Sequence, residues 1–484
     1  MSWHIRVLAN RYADSVRLMS ISRAIREQQD VRRCELGMGT AANLEFLAGL
    51  GADAQASPVD LVIAVEADDG AASNALVLAG QQLEALHAPR GADERGAVKA
   101  RSLGQAARLL DAANIALISV PGEYAALEAH QALSAGLHVF LFSDHVPLEA
   151  ELELKRRGAH LGLLVMGPEC GTAMLGGIGL GFANVLAPGP VGIVAAAGTG
   201  AQESACLLDA AGVGVSHIVG VGGRDLSAEV GGIMFRRGMQ LLAEDPGTET
   251  LLLVSKPPSP DAVRALAGDV PEGVRVIAAF VGWEGGEAPF EVHSSLEAGA
   301  AAAAGTAPPD ASNLARAVDA RRAQTSGYAL LGLYSGGSLA HEAATILEPV
   351  LGPIAGNVGG GPSDEPSGHR IFDLGEEQFT QGRPHPMVDL TARVEMLERA
   401  AADERTGCIL MDVVLGYGAH PDPAGGLFDA VRHASKGAAV IAHVCGTGGD
   451  PQDGARQQNR LRDAGALVAP SNAAAARLAL RAVG

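Results

Sequence analysis

Residues 188–203 read Pro-Gly-Pro-Val-Gly-Ile-Val-Ala-Ala-Ala-Gly-Thr-Gly-Ala-Gln-Glu. A short apolar run, Val191 to Ala196, ends at Gly198, Thr199 and Gly200, and an amphipathic pattern follows directly. This order predicts a strand, a tight turn and the N-terminus of a helix. The first N–H groups of a helix lack intrahelical partners, so such a turn binds phosphate or carboxylate without a basic side chain. The alternative is a glycine turn that only brings the helix close to the sheet.

The composition predicts layered α/β structure. The chain has 484 residues, of which 48% are hydrophobic and 4% aromatic, and it contains 63 glycines. Many small residues allow helices to lie close to a sheet. A chain of this length is expected to divide into about three or four domains.

The charge excludes one class of partner. The formal net charge is -19, and no cluster of lysine and arginine stands out that would displace counterions from nucleic-acid phosphates. We therefore expect no nucleic-acid partner. A small anionic metabolite would have to be bound by local devices such as helix N-termini.

The sequence also predicts a cytoplasmic protein without membrane contact. No apolar run reaches the roughly 20 residues of a membrane span, and residues 1–6 lack the apolar core of a signal peptide. The five cysteines show no Cys-x-x-Cys spacing, so neither disulfides nor a metal site is predicted. Each is expected to be a small buried hydrophobe, with Cys170 and Cys445 as alternative reactive thiols because they lie in glycine-rich turns.

Apolar runs separated by helical patterns divide the chain into five segments. The runs at 115–120 and 139–142 predict a βαβ unit, and further runs between 188 and 290 predict successive parallel strands. An alanine- and proline-rich tract at 297–313 marks the best boundary. The predicted segments are an N-terminal α/β unit at 1–95, a second unit at 96–187, a third at 188–305, a linker at 306–325 and a C-terminal unit at 326–484.

Several motifs resemble those of succinyl-CoA synthetase. The series Gly167-Pro-Glu-Cys-Gly, Val191-Gly-Ile-Val-Ala-Ala-Ala-Gly-Thr, Gly220-Val-Gly-Gly-Arg-Asp and Asp245-Pro-Gly-Thr-Glu-Thr is similar to its α subunit. The C-terminal unit resembles the ligase domain of its β subunit. With both halves in one chain, and with Gly332-Leu-Tyr-Ser-Gly-Gly and Gly382-Arg-Pro-His-Pro-Met-Val-Asp, nearly the whole sequence resembles the FdrA family.

The resemblance implies a fold of several Rossmann-like or flavodoxin-like parallel-sheet domains. Residues 96–187 would form a CoA-binding-like Rossmann unit, 188–305 a flavodoxin-like domain and 326–484 a ligase-CoA-like domain. In succinyl-CoA synthetase, two helix N-termini face each other and hold a phosphorylated histidine. The matching elements are the helix after Gly198-Thr199-Gly200 and, by inference, the helix after residues 416–426. The family also implies companion subunits and an oligomer.

The sequence departs from the synthetase pattern at three places. His293 is the only candidate for the phosphoryl carrier, and it lacks the surrounding histidine-loop motif. Where the synthetase has a glutamate that orients its histidine, this chain has Ser255, Lys256 and two prolines, and a lysine would repel a protonated imidazole. Residues 66–113 lack the glycine-rich loop of the CoA-binding domain, and no nucleotide-grasp segment or Walker-type loop is recognisable.

The resemblance to the FdrA family implies either an acyl-CoA synthetase-like activity or oxamate carbamoyltransferase activity. The departures favour the second, a phosphate-dependent carbamoyltransferase that converts oxalurate and phosphate to oxamate and carbamoyl phosphate. This reaction is expected to need no cofactor, since phosphate or carbamoyl phosphate is itself a substrate. One alternative is an acyl-CoA synthetase that uses ATP, magnesium and CoA, with His293 as phosphoryl carrier. Another is a non-catalytic scaffold subunit that binds an anion.

The candidate site residues fall into two groups. Arg224, Lys256 and Arg383 would supply positive charge, while His385 and His420 would transfer protons. The predicted phosphate and substrate contacts are Gly198, Thr199, Gly200, Gln202, Ser335, Gly336, Gly337, Gly416, Tyr417 and Gly418. The structural alternatives are that both histidines lie in surface loops, that Arg224 and Asp225 form an ion pair capping a helix, and that Glu203 only complements a helix dipole.

Overall fold

The computed structural model describes residues 2–11, 13, 15–26, 28, 30–87, 100–110, 112–358, 368–380 and 384–483. The chain forms two units, one of residues 1–99 with 377–384 and one of residues 100–376 with 385–484. Among the described residues, no helix combines the length and the apolar character needed to cross a membrane.

The first unit is a three-stranded antiparallel sheet with helices on both faces. Its elements are β1 (Ser2–Leu8), α1 (Ser15–Arg26), β2 (Val31–Met38), α2 (Ala41–Gly49), β3 (Leu61–Ala67) and α3 (Asp69–His87), and the strand order is β1-β3-β2. Alternation along β3 explains the two faces, because Ile63 and Val65 join the core containing Leu18 and Leu83 while Val62 packs with the α2 side. The α/β unit predicted at 1–95 thus contains an antiparallel sheet.

The second unit begins with a small parallel sheet. Its elements are α4 (Leu103–Leu109), β4 (Ile115–Ile118), α5 (Gly122–Ser134), β5 (His138–Leu141), α6 (Leu148–Leu161) and β6 (Val165–Met166), with strand order β4-β5-β6. β4 and β5 are each followed by a helix that crosses back to the next parallel strand, as the apolar runs at 115–120 and 139–142 predict.

A seven-stranded sheet follows, in the order β13-β12-β11-β9-β10-β7-β8. Its strands are β7 (Thr172–Leu175), β8 (Ile178–Gly181), β9 (Val191–Ala195), β10 (Val215–Gly220), β11 (Thr250–Ser255), β12 (Arg275–Phe280) and β13 (Glu291–His293). Its helices are α7 (Gly198–Ala210), α8 (Ile233–Ala243), α9 (Pro260–Ala265) and α10 (Leu296–Ala304). β9 to β13 are parallel, whereas β7 and β8 form an antiparallel hairpin at one edge.

The third sheet of the second unit has six parallel strands in the order β15-β16-β14-β17-β18-β19. These are β14 (Ala329–Tyr334), β15 (Ala355–Gly356), β16 (Arg370–Asp373), β17 (Thr406–Val414), β18 (Ala439–Cys445) and β19 (Leu467–Ala469). Its helices are α11 (Ser312–Arg322), α12 (Gly337–Leu351), α14 (Thr391–Ala402), α15 (Pro423–Ala434), α16 (Gly454–Asp463) and α17 (Asn472–Val483). The short α13 (Glu377–Thr380) groups with the first unit.

Two of the predicted segment boundaries differ from the sheets. β7 and β8 lie in the predicted 96–187 segment but pair into the sheet of the next one, because Met174 pairs with Ile218 of β10. The predicted linker at 306–325 contains α11, whose Val318 is fully buried. The alanine-rich tract, the predicted boundary, therefore lies at a change of sheet. The predicted linker after it contains a helix that packs into the core.

One helical layer lies between the two large sheets. A single apolar core joins residues of α7, α10, α12 and α17 to strands of both sheets. Because α7 follows β9 and α12 follows β14, both helices begin at the carboxyl ends of parallel strands. This layer brings the two helix N-termini together.

Candidate anion site

A cavity of about 190 Å³ lies at the N-terminus of α7. Its walls come from the carboxyl ends of β9 and β10 and from the segment before β7. The lining residues are 169–172, 195–199, Gly220, Gly222, Gly223, Lys256, Gly337 and Ser338. The cavity therefore lies at the strand–turn–helix motif of residues 191–200.

In the described part of the chain, no side chain caps the N-terminus of α7. The N-cap residue, Ala197, has extended backbone and makes no capping hydrogen bond. Gly198 and Thr199 line the cavity, whereas Gly200 is buried, and a Cβ at Gly200 would lie 3.1 Å from Val254 Cγ1. Gly198 thus lies where an anion would bind, whereas Gly200 allows α7 to pack closely on the sheet.

The N-terminus of α12 faces that of α7. Ser338 N donates to Thr199 Oγ1 at 3.3 Å, and the N-cap residue of α12, Gly336, makes no side-chain cap either. A Cβ at Gly336 would lie 3.0 Å from Thr199, and one at Gly337 would enter contact with Asp373 Oδ2. Glycine at 336 therefore allows the two helices to approach this closely, whereas glycine at 337 leaves room for the Asp373 carboxylate.

The helix predicted to face α7 was the one after residues 416–426, and the structure corrects this. That helix is α15, and its own N-cap, Asp422, accepts from Gly425 N at 3.3 Å and forms an ion pair with Arg460 at 3.0 Å. A second side chain, Gln457, accepts from Ala424 N at 2.9 Å. The N-terminus of α15 already has its carboxylate, so α12 takes the predicted place.

Lys256 brings positive charge to the cavity. It follows β11, its side chain is exposed, and the described part of the chain gives it no ion pair. Its charge lowers the pKa of His341, where burial is the larger cause. Burial raises the pKa of Asp373 to about 6, and Lys256 opposes that rise. Lys256 is therefore the basic side chain that an anion in this cavity would contact.

The backbone N–H groups of Ser335 and Gly336, two predicted ligand contacts, are already hydrogen-bonded to another residue. Their backbone N–H groups donate to the two carboxylate oxygens of Asp412, each at 2.8 Å. Asp412 is fully buried and forms an ion pair with Arg393 at 2.5 Å. Asp412 therefore shapes the turn before α12. Of Ser335, Gly336 and Gly337, only Gly337 lines the cavity.

The two predicted proton-transfer histidines do not line the cavity. His385 lies against Phe182 with ring centroids 5.7 Å apart, and burial lowers its pKa to about 4. His420 Nδ1 accepts from Asp422 N at 3.0 Å. Arg383 lies outside the described residues. The structural alternative placed both histidines in surface loops. Both are partly buried instead.

Arg224 belongs to a buried charge network rather than to the cavity. It forms an ion pair with Glu151 at 2.8 Å and donates to Val146 O at 2.9 Å. Lys155, fully buried, lies 2.7 Å from Glu151 and 2.8 Å from Asp225. Asp225 in turn accepts from the first N–H groups of α8. Of the structural alternative for Arg224 and Asp225, the contacts support the helix cap but not the ion pair: Asp225 caps α8, while Arg224 pairs with Glu151 and Asp225 pairs with Lys155.

The remaining predicted contacts form a seam beside the cavity. Gln202 is buried and donates to Asn184 Oδ1 at 3.0 Å, and Gly416 N donates to Gln452 Oε1 at 3.1 Å. Tyr417 N donates to Ala183 O at 2.8 Å, and Gly418 packs on Phe182. The glycine-rich turn at 416–418 therefore docks on the segment before β9.

His293, the candidate phosphoryl carrier, lies on the edge strand β13. Its Nε2 is 2.9 Å from Glu291 Oε1, and it is not among the cavity-lining residues. The five cysteines are all buried, as expected. Cys170 does line the cavity, but burial raises its pKa to about 12, so it is a thiol rather than a reactive thiolate.

The sequence analysis missed a buried polar cluster one helical turn below the cavity. Glu203 in α7 and His443 in β18 form an ion pair at 2.7 Å, and Asn472 contacts both Glu203 and Glu342. A repeat was present as a signal, since Gly198-Thr-Gly-Ala-Gln-Glu and Gly337-Ser-Leu-Ala-His-Glu place a hydroxyl and a glutamate at equal spacing. Glu203, Glu342, His443 and Asn472 form this buried polar cluster.

The charge of Glu342 depends on pH. Burial raises its pKa from the usual 4.5 to about 7, although Asn472 donates to it. Between pH 4.5 and about 7, Glu342 is ionised in the unfolded chain but neutral in the folded one. The free energy of unfolding therefore falls as the pH rises towards 7. Glu342→Gln should therefore gain stability relative to wild type, on the order of 1–3 kcal/mol, at about pH 8 but not at about pH 4. Denaturant unfolding at both pH values measures this, with the exposed Glu404→Gln as control; an equal difference at the two values would contradict it.

Family comparisons cover both ends of the chain. A family model described as CoA-ligase matches residues 333–482, and one described as AllF, heavy metal-associated domain matches residues 1–100. Curated relatives include the α subunit of ADP-forming succinate–CoA ligase of Methanothermobacter thermautotrophicus, 29% identical over 30% of this chain and 48% of that one. The malate–CoA ligase α subunit of Methylorubrum extorquens is 28% identical over 32% and 54%. The chain thus spans about half the length of these ligase subunits.

The fold is that of a multi-sheet α/β protein, and its C-terminal part matches the CoA-ligase family model. The uncharacterized protein YahF of Escherichia coli is 35% identical over 98% of this chain and 97% of its own length. The chain belongs to the same family as YahF. A dinucleotide-forming acetyl-coenzyme A synthetase 1 of Ca. Korarchaeum cryptofilum superposes with a TM-score of 0.31 at 17% identity, over 81% of this chain and 86% of that one, too loosely to describe the site.

These relatives overturn the expectation that the reaction needs no cofactor. The succinate–CoA ligases among them are ADP-forming enzymes, and their names state both the nucleotide and CoA. The cavity residues fit a phosphoryl group, since they offer two helix N-termini, the hydroxyls of Thr172, Thr199 and Ser338, and Lys256. Among the described residues there is no cluster of three or more histidine, cysteine or carboxylate side chains for a metal, so magnesium is not assigned to side chains.

The N-terminal unit does not fit a heavy metal, although the matching family model carries that description. Its single cysteine, Cys34, is fully buried, and burial raises its pKa to about 12. A soft-metal site needs thiolates, normally in pairs. Titration of the full chain with Zn²⁺ or Cu⁺ should therefore give the same stoichiometry for wild type and Cys34→Ala. A site lost in the variant would contradict this assignment.

Proposed function

We propose that the chain is part of an acid–thiol ligase that activates a small carboxylic acid at the cavity between α7 and α12. The observation that carries the proposal is the convergence of the N-termini of α7 and α12 on one cavity that also contains Lys256. Each helix end places partial positive charge at the same point, and a phosphoryl or carboxylate oxygen is the matching ligand.

The residues of the cavity act by binding and orientation. The N–H groups at the start of each helix stabilise negative charge that develops on oxygen, and the Thr199 and Ser338 hydroxyls donate from opposite sides. Lys256 neutralises the remaining charge of a dianion. ATP supplies the phosphoryl group in this chemistry and CoA supplies the thiol that accepts the acyl group.

The size of the cavity limits what enters it. About 190 Å³ accommodates a phosphate and a short acid, but not a whole nucleotide or CoA. We therefore expect ATP and CoA to present only their reacting ends at α7 and α12. The rest of each molecule would be held elsewhere in the assembly.

The particular family within this class that we propose is FdrA, and with it companion enzyme subunits and an oligomer. The support is the pair of halves in one chain, the turn Gly332–Gly337 and the match of the CoA-ligase model to residues 333–482. The alignment with succinate–CoA ligase α subunits covers only about half of those subunits, so the complete reaction is expected to need a partner.

The test uses the full chain, alone and co-expressed with its companion subunits. ATP, Mg²⁺, CoA and a panel of short carboxylic acids are supplied, and ADP and acyl-CoA are measured by chromatography. We expect ADP formation that requires both CoA and an acid, and its loss in Lys256→Met. Oxalurate plus phosphate belongs in the same assay because the carbamoyl-transfer hypothesis predicts carbamoyl phosphate from that pair. That product without nucleotide turnover would overturn the ligase proposal.

A further inference from the structure

Glu203 and Glu342 occupy equivalent positions in the two facing helices. Each is the sixth residue of its helix, four residues after the hydroxyl that lines the cavity, Thr199 in α7 and Ser338 in α12. Residues four apart lie on the same side of a helix, one turn along the axis. Because Thr199 and Ser338 contact each other, the two glutamates lie below that contact on facing sides.

Asn472 at the start of α17 joins the two glutamates. Its backbone N donates to Glu203 Oε1 at 3.1 Å, and its side-chain Nδ2 donates to Glu342 Oε2 at 2.8 Å and to Leu339 O at 2.9 Å. Asn472 is 1% exposed, as are both glutamates. One residue therefore hydrogen-bonds to both helices within a turn of the anion cavity.

The charged groups around this link are fixed in place. His443 presents Nε2 to Glu203 Oε2 at 2.7 Å and Nδ1 to Ala469 O at 3.2 Å, so both ring nitrogens meet acceptors and the imidazolium satisfies them. Burial opposes the charged form of His443, but Glu203, the carbonyl of Ala469 and the charge of Glu342 together raise its pKa. Nearby, Glu297 of α10 pairs with Arg477 of α17 at 2.7 Å and accepts from Ser471. Glu342 is the one carboxylate of this set without a cationic partner among the described residues.

We propose that Asn472 is a positioning residue that sets the separation of the α7 and α12 N-termini, and through it the affinity of the cavity for a phosphate oxyanion. The inference rests on the proposed function, since it concerns the same cavity. An oxyanion held by both helix ends is sensitive to small changes in their spacing, because hydrogen bonds weaken steeply when geometry is lost.

Phosphate binding to the full chain, followed by isothermal titration calorimetry, tests this. Asn472→Ala keeps the backbone N–H to Glu203 but removes the link to Glu342, and we expect phosphate affinity to fall about tenfold. Leu478→Ala in the same helix is the matched control, since it removes buried apolar contacts without touching either glutamate. It should lower the unfolding temperature while leaving phosphate affinity within about twofold.

A donor–acceptor exchange separates positioning from general destabilisation. Asn472→Asp places an acceptor against Glu342, and adding Glu342→Gln supplies a donor from the other side. We expect the single variant to bind phosphate about tenfold more weakly. The double variant should recover the part of the loss that belongs to the Glu342 link, but not the part that belongs to Leu339 O, to which an aspartate cannot donate. Unchanged affinity in Asn472→Ala, or no recovery in the double variant, would overturn the positioning role. Wild type that binds no phosphate would instead refute the proposed anion site.

Discussion

Lys256→Met is expected to weaken phosphate binding by about tenfold to hundredfold, since a hydrogen bond to a charged group contributes roughly 1.5–3 kcal/mol. Lys256 is the basic side chain that lines the cavity, together with the acidic residue Glu169 and three hydroxyl residues, Thr172, Thr199 and Ser338. Its side chain is exposed and has no ion pair among the described residues, so its loss should leave stability within about 1 kcal/mol. Titration calorimetry and denaturant unfolding of the same preparation measure both quantities.

The control for this experiment is Lys436→Met, which removes the same charge from an exposed position after α15. Long-range attraction would be reduced equally in both variants, so a loss confined to Lys256→Met identifies direct contact. Because Lys256 attracts anions by charge, affinity of wild type should also fall with salt. Equal phosphate affinity in Lys256→Met and wild type would remove Lys256 from the site.

Lys155→Met is expected to destabilise the chain by about 3–5 kcal/mol, because removing one partner of a buried ion pair leaves the others uncompensated. Lys155 is fully buried between Glu151 and Asp225, and it also donates to Val221 O at 2.9 Å. Glu151 would keep only Arg224, which is partly exposed. Asp225 would keep its hydrogen bonds to the start of α8 but lose its cation. Urea unfolding measures the loss.

This second variant also separates stability from function. The network lies beside the loop that carries Gly222 and Gly223, yet none of its four charged members lines the cavity. Phosphate affinity of the folded fraction should therefore stay within about threefold of wild type at low temperature. A destabilisation below about 1 kcal/mol would contradict the structural role of the network, and Lys436→Met again provides the exposed control.

The strand–turn–helix motif of residues 191–200 could be predicted because its information is local. An apolar run, a glycine turn and an amphipathic pattern determine β9 and α7 without reference to the rest of the chain. The same holds for β14 and the turn at Ser335–Gly337. Both were proposed as anion-binding turns on these grounds, and both helices do begin at one cavity through Gly198 and Gly337.

Which helix faces α7 could not be predicted, because glycine-rich turns before α12 and α15 look alike in sequence. The difference is made by side chains from other elements: Asp422, Gln457 and Arg460 surround the start of α15. At α12 no carboxylate has this role among the described residues: Thr199 of α7 accepts from Ser338 N, and Asp412 of β17 binds the preceding turn. Tertiary capping of this kind has no local signature.

The roles of single charged residues were the least predictable. Arg224 stands in a glycine-rich loop that suggests ligand binding, yet its partner Glu151 is 73 positions earlier in the chain. Glu203 was interpreted as complementing a helix dipole, whereas its partners His443 and Asn472 come from the far C-terminal sheet and helix. Local spacing cannot identify partners that only the packing of three elements brings together.

The most direct test of the account is a crystal structure of the full chain grown with phosphate. We predict one phosphate between the N-termini of α7 and α12, in contact with the hydroxyls of Thr199 and Ser338 and with Lys256 Nζ. The same crystals of Lys256→Met should show weaker occupancy. Phosphate at α15 beside His420, or a cavity that stays without phosphate at saturating concentration, would contradict the claim that the two facing helices form the anion site.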